Sequence, residues 1–551
     1  MKIAIVQGNY IVADFDYNFK KISAAVRAHK DADLIVFSEL CITGYYPYDL
    51  LTYPQLIREQ NQVIEKIKRL TAELQLAVVI GVATQIEGLK KFCNSALLID
   101  SGKVVYTYHK QLIPSYSVFD ETRHFIAGEN NQLTFVFKGN IIALLICEDI
   151  WYDNHQGYRY NPVAQLADEV DLVVVLNASP SMVGKFAQRL EIVSQIACQV
   201  RAPVLYSSQV GGYDELVYDG ASFVCNAEGQ LVRLAKSFQE DVLRVDSAHL
   251  PEKVLTYHYT DTPWAFILEQ LQCGLYDYVH KCGFQGVVVG CSGGIDSALT
   301  LAIAVLALGK ANVKAITMPS VYSSQGSLDD SLVLCRNLGI KLFTRAIQEE
   351  FLQTCKNFTQ AFGKEPEKLT QENMQARIRG RIVMEYANDS GLLMLTTGNK
   401  SELAVGYATL YGDMCGALNC IGDLYKTDVY ALADYINAYH GNLIPQNIID
   451  KAPSAELSAG QKDSDSLPDY YYLDAMLKLY LEGDLLQQDE VDQLQGIVDQ
   501  NIVDQPDIEE QDRIYKMVQR AEFKRKQAPP ILVVQKRPFG MGRRVPVSSG
   551  S

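Results

Sequence analysis

Short apolar runs separated by amphipathic stretches fill the first half of the chain. Lys2–Val6 reads as a buried strand, Asn18–His29 has helical periodicity, Leu34–Phe37 is a second strand and Ala77–Val82 a third. Ile141–Ile146, Leu172–Leu176 and Val204–Ser207 continue the series. The region 220–245 reads as hairpins around turns such as Ala227-Glu228-Gly229. Buried strands alternating with helices predict an α/β sandwich of layers.

The rhythm breaks at 249–263, where prolines, histidines and threonines crowd together, and this span reads as a linker. Trp264–Lys281 then reads as a helix, Val287–Val289 as a strand, Ile295–Leu308 as a helix and Val313–Met318 as a strand. That βαβ order predicts a doubly wound parallel sheet. The expected organisation is one domain over 1–248, the linker, a second domain over 264–540 and a tail over 541–551. The polar stretch 455–470 reads as a mobile loop, and the Pro-, Gly- and Lys/Arg-rich end from about 529 as an extended tail.

Length and charge narrow the classes. A chain of 551 residues exceeds a single hydrophobic core. A net charge of −15 argues against nucleic-acid and anionic-membrane partners, though a local basic or metal-lined pocket still admits an anionic substrate. No apolar run of about 18 residues suggests a membrane span. The first residues read as a strand, not a leader, so a cytoplasmic protein is expected. The 12 cysteines form no C-x-x-C pair, which points to reduced thiols instead of a disulfide frame or structural zinc.

Two places carry candidate chemistry. In the first half, Glu39 follows the strand Leu34–Phe37, Lys110 stands in YHKQLIP after Val104–Tyr108, and Cys147 follows Ile141–Ile146 in ICEDIW. A cysteine attacks only as thiolate, a carboxylate can take its proton, and a lysine can stabilise the resulting charges, so the three suffice for an amidase. Singly, a buried Cys is more often structural and a lone Glu or Lys a surface charge.

In the second half GCSGGIDS (290–297) lies between a strand and a helix. Its glycines let backbone N–H groups approach phosphate oxygens at a helix N-terminus, and Ser292 and Ser297 add hydroxyl donors. Asp296 would repel a bare phosphate but fits if Mg²⁺ stands between them. The loop is neither a Walker A nor a G-x-G-x-x-G motif. Alone, it is equally a helix-capping turn.

The segments FSELCITGY, YHKQLIP and ICEDIW resemble the signature segments of the nitrilase (carbon–nitrogen hydrolase) superfamily, over roughly 1–245. The resemblance implies an αββα sandwich with Glu39 as general base, Lys110 as electrostatic support, Cys147 as nucleophile and Glu121 as a further carboxylate. For its glutamine-using branch it implies contacts from Tyr116, Ser179 and Lys185, with Arg189 an alternative carboxylate partner. SGGIDS resembles the PP-loop of ATP pyrophosphatases. ENMQARIRGRIVMEYAN, TTGNKSELAVGYATLYGDM, GDLYKTDVYALA and KAPSAEL narrow this to a resemblance to NAD synthetases over about 265–535.

That second resemblance implies ATP contacts from Gly290, Cys291, Ser292, Gly293, Gly294, Ile295, Asp296, Ser297, Thr397, Lys426 and Ser454. It implies deamido-NAD contacts from Asn373, Glu402, Asp413 and Lys524, and Mg²⁺ ligands in Asp296 and Glu402. Lys524, in AEFKRKQAPP, otherwise reads as a solvated helix end. Together the two halves imply ATP-dependent amidation of nicotinic acid adenine dinucleotide (deamido-NAD) to NAD through an acyl-adenylate. Glutamine supplies the ammonia by a protected route, and the family implies a homo-oligomer. Two other readings remain open: a PP-loop amidotransferase acting on a base or on aspartate, and a regulatory nucleotide-binding protein with inactive sites.

Overall fold

The structure is a computed structural model. It describes residues 1–551 except 87, 89–90, 130–131, 153–156, 167–169, 257–262, 459, 503–507 and 549–551. The chain falls into two compact units, Met1–Gly211 with Val217–Tyr259, and Gly212–Leu216 with Thr260–Ser551.

The first unit holds two six-stranded sheets. One runs Asp241–Asp246, Lys2–Gln7, Leu34–Val36, Ala77–Gln85, Phe92–Asp100, Lys103–His109. The other runs Leu231–Leu234, Phe223–Cys225, Val204–Ser208, Leu172–Asn177, Asn140–Ile146, Thr134–Phe137. Strands such as Leu172–Asn177 are buried along their whole length, so they read as continuous apolar runs and not as alternation. The two sheets share one core, in which Ile5, Val36 and Val79 of the first meet Leu144, Val174 and Leu205 of the second.

Helices Phe15–Ala28 and Pro54–Leu74 accompany the first sheet and Lys185–Val200 the second. The result is an αββα sandwich. Pro at the first helical position and a left-handed Gln75 at its end bound the long helix Pro54–Leu74. Of the linker span, 257–262 lie outside the described residues. Leu250 and Leu255 pack against the core of the first unit.

The second unit carries a five-stranded parallel sheet ordered Lys341–Thr344, Val313–Thr317, Val287–Gly290, Leu393–Thr396, Leu418–Asn419. The order reverses between Val287–Gly290 and Leu393–Thr396. Such switch points form the ligand crevice of doubly wound sheets. One face of the sheet packs Val288, Ile316 and Met394 against Ile378, Ile382 and Val383 of helix Lys368–Ser390.

The segment from 529 is extended but is not a free tail. Asn419 N–H donates to Pro530 O and Leu532 N–H to Asn419 O, Ile531 bridges Asn419 in parallel, and Ile531 and Phe539 are core residues. The sheet edge at Asn419 offered unpaired backbone groups, and an Ile-Leu-Val-Val run satisfies them. Beyond it, Arg543 pairs with Glu522 at 3.0 Å.

Candidate active sites

In the first unit the strand ends converge on one buried cluster. Glu39 leaves strand Leu34–Val36 in a turn that crosses Ala77–Gln85 at Gly81, where a Cβ would stand 2.2 Å from Leu40 N. Only glycine permits that approach. Lys110 Nζ lies 2.8 Å from Glu39 Oε1 and 2.8 Å from Glu121 Oε1, with all three side chains fully buried. Asn94 Nδ2 and Ala178 N–H also donate to Glu39, at 2.7 and 2.8 Å, and Tyr45 OH donates to Glu121 at 2.7 Å. Glu121 Oε2 is buried with no hydrogen-bond partner among the described residues.

Cys147 sits where strand Asn140–Ile146 breaks into the short 3₁₀ turn Cys147–Ile150, with φ of 42°, a left-handed conformation that costs a non-glycine residue energy. Asp149 braces this turn against the lysine-bearing segment. It accepts from Ile146 N–H at 3.0 Å, Gln111 N–H at 2.9 Å, Leu112 N–H at 2.9 Å and Tyr108 OH at 2.8 Å.

The electrostatics suit a resting thiol beside a poised base. Burial and the Glu39 carboxylate push the Cys147 thiol well up, with Lys110 opposing. Burial also raises Glu39; Lys110 draws it back and Glu121 raises it again. Burial alone would lower Lys110, yet Glu121 and Glu39 hold it well above its ordinary value. A cation is therefore fixed between two carboxylates, next to a neutral nucleophile.

Further polar and charged groups surround this cluster. Tyr116 OH donates to Glu148 at 3.1 Å and Tyr158 OH at 2.9 Å. Burial pushes Glu148 up to about 7. Lys185 Nζ stands 3.8 Å from the centre of the Trp151 ring, and burial and the Arg189 guanidinium lower it to about 8. Ser179 accepts from Arg189 Nε at 3.3 Å.

Arg189, the alternative carboxylate partner, has protein partners of its own. It is fully buried and already bound to Asp219 at 2.7 Å and to the carbonyls of Ser179 and Pro180. Glu148 and Asp149 stand inside ICEDIW, so two further acids beside a nucleophile were the signal for them. Asn94 and Tyr45 carried none, being ordinary polar residues on a strand and in a loop.

In the second unit a cavity of about 470 Å³ opens at the switch point. Gly290, Cys291, Ser292, Gly294, Ile295, Asp296 and Ser297 line it, with Thr397, Lys426 and Ser454. Asn373, Glu402, Asp413 and Lys524 line it too. Gly293 turns away from it. At its φ of +77° a Cβ would stand 2.3 Å from Ser327 O, so glycine lets the loop lie on helix Gln325–Leu338. Ser297 and Ser292 bond each other at 3.2 Å, and Gly294 N–H donates to Ser292 Oγ at 3.2 Å, which closes the loop onto the start of helix Ile295–Leu308.

Lys426 Nζ joins the two acids of this cavity, 2.6 Å from Asp296 Oδ2 and 3.3 Å from Glu402 Oε1. Asn399 Nδ2 donates to Asp296 Oδ1 at 2.9 Å, and Asn399 caps the helix that carries Glu402. Burial, then the nearby Asp296, raise Glu402 to about 8. Asp463, from the stretch 455–470, lines the same cavity and is raised by burial.

Among the described residues no group of three or more His, Cys, Asp or Glu is arranged to hold a metal. The Asp296 and Glu402 carboxylates, lining one cavity with the Gly/Ser loop, do fit Mg²⁺, which takes one or two protein carboxylates and completes its shell with other oxygens such as water. Lys524 is no solvated helix end. Its Nζ donates to Gly406 O at 2.7 Å and Ala408 O at 2.8 Å. Asn373 and Asp413 meet on Thr409, whose hydroxyl donates to Asn373 Oδ1 and whose N–H donates to Asp413 Oδ1, both at 2.7 Å. No described helix is long and apolar enough to cross a membrane.

Comparison with known proteins agrees with both halves. The carbon-nitrogen hydrolase family matches residues 2–248 and the NAD synthase family residues 267–528. A glutamine-dependent NAD(+) synthetase from Synechocystis is 40% identical over 99% of this chain and 98% of its own length. One from Thermotoga maritima is 37% identical over 100% and 98%. The solved glutamine-dependent NAD+ synthetase of Acinetobacter baumannii, in complex with ADP, has a TM-score of 0.76 at 37% identity and covers 99% of this chain and 98% of that one.

Fold, sites and matches define a two-domain ligase that couples a carbon–nitrogen hydrolase to a nucleotide-dependent synthase. The chain belongs to the glutamine-dependent NAD(+) synthetases, enzymes that form the amide of NAD at the expense of ATP with nitrogen taken from glutamine.

Proposed function

We propose that the family reaction runs in this chain over the two clusters described. In the first unit Glu39 takes the Cys147 proton as sulfur attacks the side-chain amide of glutamine. Lys110, held between Glu39 and Glu121, stabilises the oxyanion, and ammonia leaves with a proton returned from Glu39. The thioester is then hydrolysed to glutamate. Glu148, with Tyr116 and Tyr158, receives the substrate's α-ammonium, and Lys185 its α-carboxylate. The free acceptor Glu121 Oε2 is suited to the amide N–H groups. The observation that carries this assignment is the Glu39–Lys110–Glu121 triad beside Cys147.

In the second unit the loop Gly290–Ser297 cradles the ATP phosphates, with Thr397, Lys426 and Ser454 contributing contacts. Asn373, Asp413 and Lys524 hold deamido-NAD. Its carboxylate attacks the α-phosphorus, pyrophosphate leaves, and ammonia displaces AMP from the acyl-adenylate. Asp296 and Glu402 would hold Mg²⁺, which when bound neutralises charge on the departing pyrophosphate. Lys426, held against both acids in the same cavity, would add positive charge beside the phosphates. A homo-oligomer in the cytoplasm completes this reading, and the scattered thiols suit a reducing compartment. Turnover of Asp296→Ala with ammonium as donor tests the metal assignment; a near-normal rate removes Asp296 from it.

A further inference from the structure

Cys291 occupies the second position of the ATP loop, between Gly290 and Ser292, and lines the cavity while only 2% exposed. Its backbone is pinned to the neighbouring strand, Cys291 N–H donating to Ile316 O at 2.8 Å. Behind it runs helix Gln325–Leu338. The loop rests on the first turn of that helix, where Gly293 meets Ser327 O. Residues four and eight positions on lie along the same face. These are Ser331 and Cys335, and the Cys291 thiol is within hydrogen-bonding reach of both side chains. Cys335 is itself buried at 2% exposure.

Cys291 at the cavity wall and Cys335 on the helix behind it thus form a pair of buried thiols. The geometry points to a reversible Cys291–Cys335 disulfide that switches off the ATP site. The oxidant is a hydroperoxide small enough to enter the cavity. Cys291 sulfur attacks the peroxide O–O bond, giving a sulfenic acid and releasing water (an alcohol from an alkyl peroxide). Cys335 sulfur then attacks the sulfenic sulfur, the S–O bond breaks, a second water leaves, and both thiol protons end in the products. Two thiols are thus oxidised and one peroxide reduced. The hydrogen bond with Cys335 lowers the Cys291 thiol below its ordinary value, consistent with Cys291 reacting first.

A disulfide ties the loop to the helix at a fixed Cα separation. The loop N–H groups must meet phosphates to within a few tenths of an ångström, so a displaced loop loses rate. Bound ATP covers Cys291 and slows oxidation. This inference rests on the loop being the ATP site, but bond formation is read independently of that assignment.

The test uses the full chain with ammonium as nitrogen donor, so that oxidation of Cys147 does not enter the rate. Hydrogen peroxide is added with and without ATP, and peptides are mapped by mass spectrometry before and after dithiothreitol. The expected result is a linked peptide pair joining Cys291 to Cys335 and a fall in rate of roughly tenfold or more. Both are reversed by dithiothreitol and slowed by ATP. Cys335→Ser keeps its basal ammonium-driven rate and loses the dithiothreitol-reversible inhibition. Absence of the linked pair overturns the inference, as does a linked pair with an unchanged rate. If Cys335→Ser does not fold, the wild-type map and its reversal decide alone. Linkage without protection by ATP counts against the ATP reading of the loop and not against the bond.

Discussion

Lys426 and Asp296 form an ion pair at 2.6 Å beside the Gly/Ser loop 290–297, joining residues 130 positions apart. Burial alone would lower the lysine, but Asp296 and Glu402 hold it firmly protonated. Removing one partner of such a pair leaves an uncompensated charge in the site. Lys426→Met is expected to lower NAD synthesis by roughly 100- to 1000-fold with glutamine and with ammonium alike. Glutamine hydrolysis measured without the synthetase substrates should persist. Loss confined to glutamine-driven turnover would contradict the assignment.

Cys147→Ala separates the two chemistries. With the nucleophile gone, glutamine-driven NAD formation should fall on the order of 10⁵-fold or more. Synthesis from high ammonium should continue, because the nucleotide cavity is unaltered. Steady-state rates with each donor decide it.

The glutamine pocket should show a narrow pH optimum. Glu148, raised to about 7, is anionic only above that pH, and Lys185, lowered to about 8, is cationic only below that one. An α-ammonium needs the first charged and an α-carboxylate the second. The kcat/KM for glutamine should therefore be bell-shaped, rising through about 7 and falling through about 8. Glu148→Gln should abolish the acidic limb and raise KM for glutamine much more than it lowers ammonium-driven synthesis. An unchanged acidic limb in that variant would remove Glu148 from the pocket.

Asp149 is a stability prediction. Asp149→Ala strands three backbone N–H groups and a phenol inside the first unit. Each unsatisfied buried group costs about 1–3 kcal/mol. A loss of at least about 4 kcal/mol is expected, read as a fall of roughly 8 °C or more in that unit's unfolding transition. Glutaminase activity should fall with it, since the nucleophile turn and the lysine segment share this one carboxylate.

Legibility followed range along the chain. Continuous apolar runs such as Leu172–Leu176 declared themselves as buried strands, and the helices Trp264–Lys281 and Ile295–Leu308 end where their periodicity does. The Gly/Ser loop and the three signature segments were local strings and so could be recognised. Asn94 bonding Glu39 across 55 positions, or Asn399 bonding Asp296 across 103, had no local mark. The pairing of Arg189 with Asp219 and two backbone carbonyls likewise had no local mark. The end of the chain looked like a tail because prolines and basic residues bracket it. Its apolar Ile531–Val534 run satisfies a sheet edge, which only the tertiary fold presents.

The most direct measurement supplies the purified protein with ATP, Mg²⁺, glutamine labelled with ¹⁵N at the side-chain amide, and in turn deamido-NAD, nicotinic acid mononucleotide and nicotinic acid. Products are then resolved by chromatography and mass spectrometry. The account predicts labelled NAD from deamido-NAD, with one AMP and one pyrophosphate per NAD, and far slower reaction of the two smaller acids, which lack the adenylate half. Preference for a smaller acid, NAD formed with ADP in place of AMP, or NAD without the label would contradict it.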